Sequence, residues 1–187
     1  QEIFTLEGLT KAFSISGLSK SPAIFDTDKL TWMNAQYIRA LSEADFIATA
    51  MPYFKECGAD AFDLKLITQI MQPRLETLTE IPVKLAFLSK MPEFSQQMYF
   101  HKRMKTDAQT SLPVLKEALS LLTAHEDYSM EPLKEALMGL VEKLEIKNGQ
   151  LLWPLRVAIT GTQVTPGGAV EAACLLGKEE TLNRLKA

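Results

Sequence analysis

Gln150–Leu185 reads QLLWPLRVAITGTQVTPGGAVEAACLLGKEETLNRL. Two runs of helical character flank Thr165-Pro166-Gly167-Gly168. Pro166 sets its own φ, and Gly167 and Gly168 permit backbone angles that side chains avoid, so the four residues predict a tight turn. A partner can approach such a backbone closely. The helix–turn–helix pattern of this stretch extends outward through the rest of the chain.

Leu133, Leu137, Leu140, Val141 and Leu144 recur at i, i+4, i+7, i+8 and i+11. Leu112, Leu115, Leu119 and Leu122 form a second stripe, and Leu64, Ile67, Met71, Leu75 and Leu78 a third. Each marks one apolar face of a helix. Thr106-x-x-Gln109 reads as a capping box, and Ser42-x-x-Asp45 as a weaker version of one. Gly58, Gly149, Gly161 and Gly177 each follow a helical run, where a left-handed residue closes the helix. No segment alternates apolar and polar residues for more than a few positions. The predicted fold class is all-α.

The chain of 187 residues is 47% hydrophobic and 23% charged, ordinary for a globular protein with ample core. No apolar run approaches a membrane span, and no basic-then-apolar leader opens the sequence. A cytoplasmic monomer is expected. Cys57 and Cys174 are isolated, as are His101 and His125, which excludes a metal site of recognisable spacing. The cysteines read as buried free thiols and the histidines as surface residues. A formal charge of −3 does not suit a non-specific nucleic-acid binder, but permits a base reader with local phosphate contacts.

Four stretches carry candidate chemistry. On Thr27–Leu41, the residues Leu30, Met33, Tyr37, Ile38 and Leu41 share one helical face, while Trp32, Asn34, Gln36 and Arg39 fall elsewhere. An aromatic ring, two amides and a guanidinium off the core suit a nucleic-acid or interdomain contact, or simply a polar helix face. In Met71-Gln72-Pro73-Arg74, Pro73 cannot donate to the carbonyl of Gln69, so the helix must kink or end. Arg74 beside the apolar stripe is then poised to donate a directed fork of hydrogen bonds, or to pair with Glu76. Trp153 and Arg156 are three residues apart and can share a helix face. Trp153 is either a stacking platform or a core residue. Between Lys84 and Lys105, six basic or imidazole side chains stand against Glu93 alone. This is either a solvated surface or a phosphate-facing patch.

The wording of two segments carries a family resemblance. PLR-x-A-x-TG, the TPG turn and LLGKE within residues 150–185 resemble the C-terminal end of bacterial class I glutamyl-tRNA synthetases. Independently, SKSPAIFDTDKLTWMNAQYIR at residues 19–39 resembles their stem-contact region. The match is weaker at 70–78, and between about 85 and 145 only helical character is shared. Ser19-Lys20-Ser21 superficially resembles the end of the KMSKS loop of class I synthetases. The following Pro22-Ala23-Ile24-Phe25-Asp26 matches instead a segment well beyond that loop.

The resemblance implies a tRNA-binding portion without its catalytic domain: the end of a stem-contact region at 1–40, a first helical anticodon-binding subdomain at 41–88 and a second at 89–187. Arg74, Trp153, Arg156, Thr165, Pro166, Gly167 and Gly168 are the implied anticodon-binding residues. Family members vary at the Trp153 and Gly168 positions. Lys20, Trp32, Asn34, Gln36 and Arg39 are the implied stem or interdomain contacts. In that family an arginine at the Arg74 position faces the third anticodon base and favours cytosine there. The implied partners are tRNA(Glu) and an N-terminal catalytic domain of the same polypeptide, which uses ATP. No HIGH-like motif or phosphate-cradling loop is present, so this chain should hold no cofactor and catalyse nothing itself. The rival from another class is a free-standing helical interaction scaffold that has lost tRNA binding, which the low net basicity favours.

Overall fold

The computed structural model describes residues 2–18 and 24–187. Among them the chain is all-α, as its periodicity predicts. The helices are α1 (Leu6–Ala12), α2 (Thr27–Ala40), α3 (Glu43–Glu56), α4 (Leu64–Met71), α5 (Ile81–Ser89), α6 (Ala108–Ala124), α7 (Met130–Lys143), α8 (Asn148–Thr160) and α9 (Ala169–Lys186). Short 3₁₀ turns lie between several of them, including Gln72–Arg74 and Gln96–Tyr99. None of these helices is long and apolar enough to cross a membrane.

Starts and stops follow local chemistry. Ser42 caps α3 by accepting from the Asp45 N–H, and Asp63 caps α4 by accepting from Lys65 and Leu66. The box expected at Thr106-x-x-Gln109 is displaced by one residue. Asp107 accepts from the Thr110 N–H (2.7 Å), and the Asp107 N–H donates to the Thr110 hydroxyl (2.9 Å). Thr106 is buried and already engaged, its hydroxyl donating to the Tyr99 carbonyl (2.8 Å). Gly58, Gly161 and Gly177 take left-handed φ values of 71°, 66° and 72°. Gly149 does not. It sits in the first turn of α8, and the left-handed position after α7 falls to Glu145, φ 54°. The Ile146 N–H then reaches back to the Val141 carbonyl (3.2 Å) and closes that helix.

Leu133, Leu137, Leu140 and Val141 are buried as their stripe predicts. On α6 the buried line is Ser111, Ala118 and Leu122, while Leu112 is 55% exposed. On α2 the buried residues are Ala35 and Ile38; Leu30 and Tyr37 stay exposed. The physical reason is that α2 packs on the Gln72–Arg74 turn rather than deep in the core. Tyr37 instead pins the N-terminal segment, donating to the Phe4 carbonyl (2.6 Å) and accepting from the Phe4 N–H (3.2 Å).

One apolar core runs from Phe46, Phe54, Ile67 and Leu85 through Leu122, Leu137 and Leu155 to Ala173 and Leu182. Phe46 and Phe54 meet edge to face at 6.2 Å. α8 packs chiefly against α9 and α6, which brings the 150–168 stretch over the end of α9. Both cysteines are free and half-buried. Burial pushes the Cys174 thiol up to about 11.

Gly161 ends α8 where the chain must turn toward Thr165. A Cβ there would lie 2.8 Å from the Pro92 carbonyl oxygen, on top of the left-handed φ. Gly161→Ala should therefore lower stability by about 2 kcal/mol, read from the urea midpoint. An unchanged midpoint would show that the 90–92 segment yields freely.

Candidate nucleic-acid interface

On α8, Trp153 and Arg156 do share a face, with the Arg156 guanidinium carbon 6.0 Å from the Trp153 ring centroid. Trp153 is half-buried, neither a free platform nor a core residue. Its indole N–H donates to the Met98 carbonyl (3.2 Å), and the His101 ring stands edge-on to it at 4.3 Å. Gln163, after the α8 terminus, donates to the same Met98 carbonyl (3.0 Å). The aromatic platform is thus fixed from three sides with part of its surface open.

Arg156 donates through Nη1 to the Gln163 carbonyl (3.2 Å). Its Nε is buried without a hydrogen-bond partner. Burial lowers its pKa, opposed by the nearby Glu171 carboxylate. A guanidinium keeps its charge in proteins, and Nη2, which makes no hydrogen bond among the described residues, is the donor left for an outside acceptor.

The Thr165–Gly168 turn joins α8 to α9. Thr165 donates to the Gly167 carbonyl (2.6 Å), closing the turn on itself. The Gly168 N–H donates to Glu171 Oε2 (2.7 Å). Gly168 has φ −93°, and Gly167 is not among the residues at positive φ, so left-handed backbone is not what these glycines provide. Space is the reason instead. A Cβ on Gly167 would come 2.7 Å from the Glu171 Cβ, and one on Gly168 would come 2.8 Å from Glu171 Oε2 and 3.9 Å from Arg156 Nη2. The two glycines let α9 start directly beneath Arg156, with Pro166 half-exposed at the bend.

A second cluster forms around Arg74. α4 ends at Met71, and Gln72–Arg74 tightens into a 3₁₀ turn, as Pro73 requires. Arg74 makes no ion pair with Glu76. It donates through Nη1 to the Ile70 carbonyl (2.7 Å), one of the acceptors left open at the α4 terminus. The rest of its guanidinium is exposed. α2 docks onto this same turn through polar residues. Arg39 Nε donates to the Pro73 carbonyl (3.1 Å), and Asn34 donates to the Glu76 carbonyl (2.6 Å). Gln72 donates to the Ile38 and Leu41 carbonyls (2.9 Å each). With its amide oriented to satisfy its neighbours, Gln36 accepts from Trp32 Nε1 (3.2 Å) and Arg39 Nη1 (2.9 Å). Asn34, Gln36 and Arg39 therefore form one polar seam against the turn that carries Arg74, with Trp32 45% exposed at its edge. Lys20 lies outside the described residues.

The Trp153–Arg156 face and the Arg74 seam are built separately, with no hydrogen bond between them among the described residues. Sequence reading misses His101, Gln163 and Glu171. His101 and His125 are half-buried rather than surface residues. Only a tertiary pairing reveals them, since Met98 and Trp153 are 55 positions apart.

Known proteins resemble this arrangement in sequence and in shape. Residues 45–187 match the family model described as "Anticodon binding domain". The chain is 48% identical over 186 residues to a glutamate–tRNA ligase of Clostridium botulinum (strain Hall), covering 100% of this chain and 38% of that protein. A glutamate–tRNA ligase of Clostridium tetani is 45% identical over 186 residues, with the same coverage. The chain thus spans under two-fifths of the length of these relatives. The crystal structure of a glutamate tRNA ligase from Elizabethkingia meningosepticum matches all of the chain and 36% of its own, with a TM-score of 0.81 at 24% identity, a likeness of fold. The all-helical fold agrees with these matches, and the chain belongs to the anticodon-binding domain family, with a sequence similar to the C-terminal region of glutamate–tRNA ligases.

Proposed function

We propose that this chain reads the anticodon of tRNA(Glu) as the C-terminal part of an ATP-dependent glutamate–tRNA ligase. The observation that carries the reading is the Trp153–Arg156 face. It combines a partly open indole with a guanidinium whose Nη2 makes no hydrogen bond among the described residues. Splayed anticodon bases are held by stacking on such planes and by hydrogen bonds to their exposed edges. Thr165, Pro166, Gly167 and Gly168 supply a close-packed backbone at the rim of that face. Arg74 supplies a second directed donor, aimed from a helix terminus. Asn34, Gln36 and Arg39 serve the junction between α2 and the Arg74 turn, and Trp32 and Lys20 serve the stem or interdomain contact.

The α1–α2 region supports a second partner within the same polypeptide, the N-terminal catalytic domain. Leu6, Ile15, Ile24 and Phe25 are each at least 79% exposed there, an apolar surface a stable fold covers with another body. ATP belongs to that domain, and this chain holds no cofactor. The parent works in the cytoplasm as a monomer.

Two measurements test this. The purified chain should show no ATP–pyrophosphate exchange with glutamate, and robust exchange would refute the division of labour. It should bind a tRNA bearing a glutamate anticodon, weakly and with steep salt dependence, and should bind an acceptor-stem minihelix of the same tRNA at least tenfold less well. Equal affinity for the two RNAs would refute anticodon-arm recognition.

A further inference from the structure

Between Gln96–Tyr99 and α6 the chain makes a tight turn, His101-Lys102-Arg103-Met104-Lys105-Thr106. His101 and Thr106 pair their backbones in both directions (3.0 and 3.3 Å), and Lys105 closes the turn at φ 56°. Lys102, Arg103 and Lys105 are exposed, and among the described residues none of the three forms an ion pair. The adjacent acid, Asp107, is committed to capping α6. Three like charges within four residues repel one another, and no ion pair among the described residues offsets that repulsion.

The turn is also held rigidly against the Trp153 helix. The Met104 N–H donates to His101 Nδ1 (3.2 Å), and the His101 ring abuts Trp153 at 4.3 Å. On the other side Met104 lies over Gly149 in the first turn of α8, so close that a Cβ there would sit 2.2 Å from its sulfur. The Thr106 hydroxyl ties the base of the turn to the Tyr99 carbonyl. The turn that carries the three cations is thus held against the helix of Trp153 and Arg156, although the chain as a whole carries a formal charge of −3.

We propose that Lys102, Arg103 and Lys105 form a phosphate clamp that grips the RNA backbone beside the bases held on the Trp153–Arg156 face. The proposal rests on the anticodon-arm reading above and adds to it the phosphate-binding element. The division is physical: phosphate contacts fix position and carry no sequence information, while base contacts specify. A rigid cationic turn joined through His101 to the stacking residue sets the register of the strand. It supplies local attraction that the net charge of the chain does not.

The test compares the wild-type chain with a variant carrying Lys102→Gln, Arg103→Gln and Lys105→Gln. Fluorescence anisotropy gives Kd for a tRNA with a glutamate anticodon and for the same tRNA with that anticodon replaced, between about 50 and 200 mM salt. All three side chains are exposed, so the variant should keep its thermal midpoint. The clamp predicts that both affinities fall at low salt by the same factor, about tenfold or more, with their ratio preserved. It also predicts that the slope of log K against log salt shrinks by about 2 to 3, roughly 0.7–0.9 for each phosphate no longer neutralised. Single Lys102→Gln and Arg103→Gln variants should each remove one such step. Unchanged slope and affinity in the triple variant would overturn the clamp, as would a change in the ratio alone, which would put the turn on the bases. If the wild-type chain binds both tRNAs equally and the variant still loses slope, the clamp stands and base reading fails. If the wild-type chain binds neither tRNA at the lowest salt, both fall.

Discussion

Arg184→Ala should lower the unfolding free energy by about 3–5 kcal/mol, the largest single loss expected outside the apolar core. Arg184 is 9% exposed and stands at the meeting point of three helices. Its Nη1 donates to the Phe87 and Ile159 carbonyls (2.8 Å each), and its Nη2 to the Leu88 carbonyl (3.2 Å). Phe87 and Leu88 end α5, and Ile159 ends α8. Carbonyls at helix C-termini lack partners of their own and carry the negative end of the helix dipole, so a buried guanidinium between two such ends satisfies both. Nε completes the set with Glu180 at 2.6 Å. Alanine leaves three helix-end carbonyls without their donor, beside the open cavity that Arg184 lines with Tyr99, Ala158 and Leu185. Glu180, 47% exposed, can turn to water and limits the damage. Lysine keeps the charge but cannot reproduce the fork, so Arg184→Lys should recover only a minor part. The measurement is urea unfolding with the slope unchanged. A loss under about 1 kcal/mol would mean that water enters and satisfies the carbonyls instead.

The second expected result concerns specificity. In the full-length parent, Arg74→Gln should relax the preference for cytosine at the third anticodon position by roughly tenfold to a hundredfold, the roughly 1–3 kcal/mol of a bidentate pairing. Cytosine presents a carbonyl oxygen and a ring nitrogen as acceptors, which a guanidinium can meet together. Uracil replaces that nitrogen with an N–H, which faces a donor. Glutamine can donate and accept, and so discriminates less. One guanidinium nitrogen of Arg74 is spent on the Ile70 carbonyl, and the others remain exposed. The fold should lose no more than about 1 kcal/mol with that exposed cap bond. The observable is kcat/KM for tRNAs differing only at that base, wild type beside variant. An unchanged ratio would reduce Arg74 to the cap of α4.

The features legible in sequence are those set within one or two turns of helix. The Leu133–Val141 stripe, the Ser42 cap, the break at Pro73 and the three left-handed glycines all depend on neighbours a few residues away. Trp153 and Arg156, three apart, fall in the same class. Features set by distant packing are not legible. The Thr106 hydroxyl is drawn off to Tyr99, which moves the α6 cap to Asp107. Glu145 takes a left-handed conformation that composition favours at Gly149. On α2, docking through Asn34 and Arg39 buries Ala35 and Ile38 and leaves Leu30 and Tyr37 outside. Gly167 and Gly168 do mark a tight turn, but the requirement is clearance from Glu171, which only the α9 register reveals. Arg184 carries no signal in sequence, since the carbonyls it meets lie 25 to 97 positions away.

The central claim is that this helical chain recognises anticodon bases and not merely RNA. The most direct measurement is Kd of the wild-type chain for one tRNA with its glutamate anticodon and for the same tRNA with only those three bases replaced, at one fixed salt concentration. Base reading through Arg74, Trp153 and Arg156 predicts tighter binding of the glutamate anticodon by at least about tenfold, the lower end of what one correctly paired base contributes. Equal Kd values for the two RNAs would contradict it.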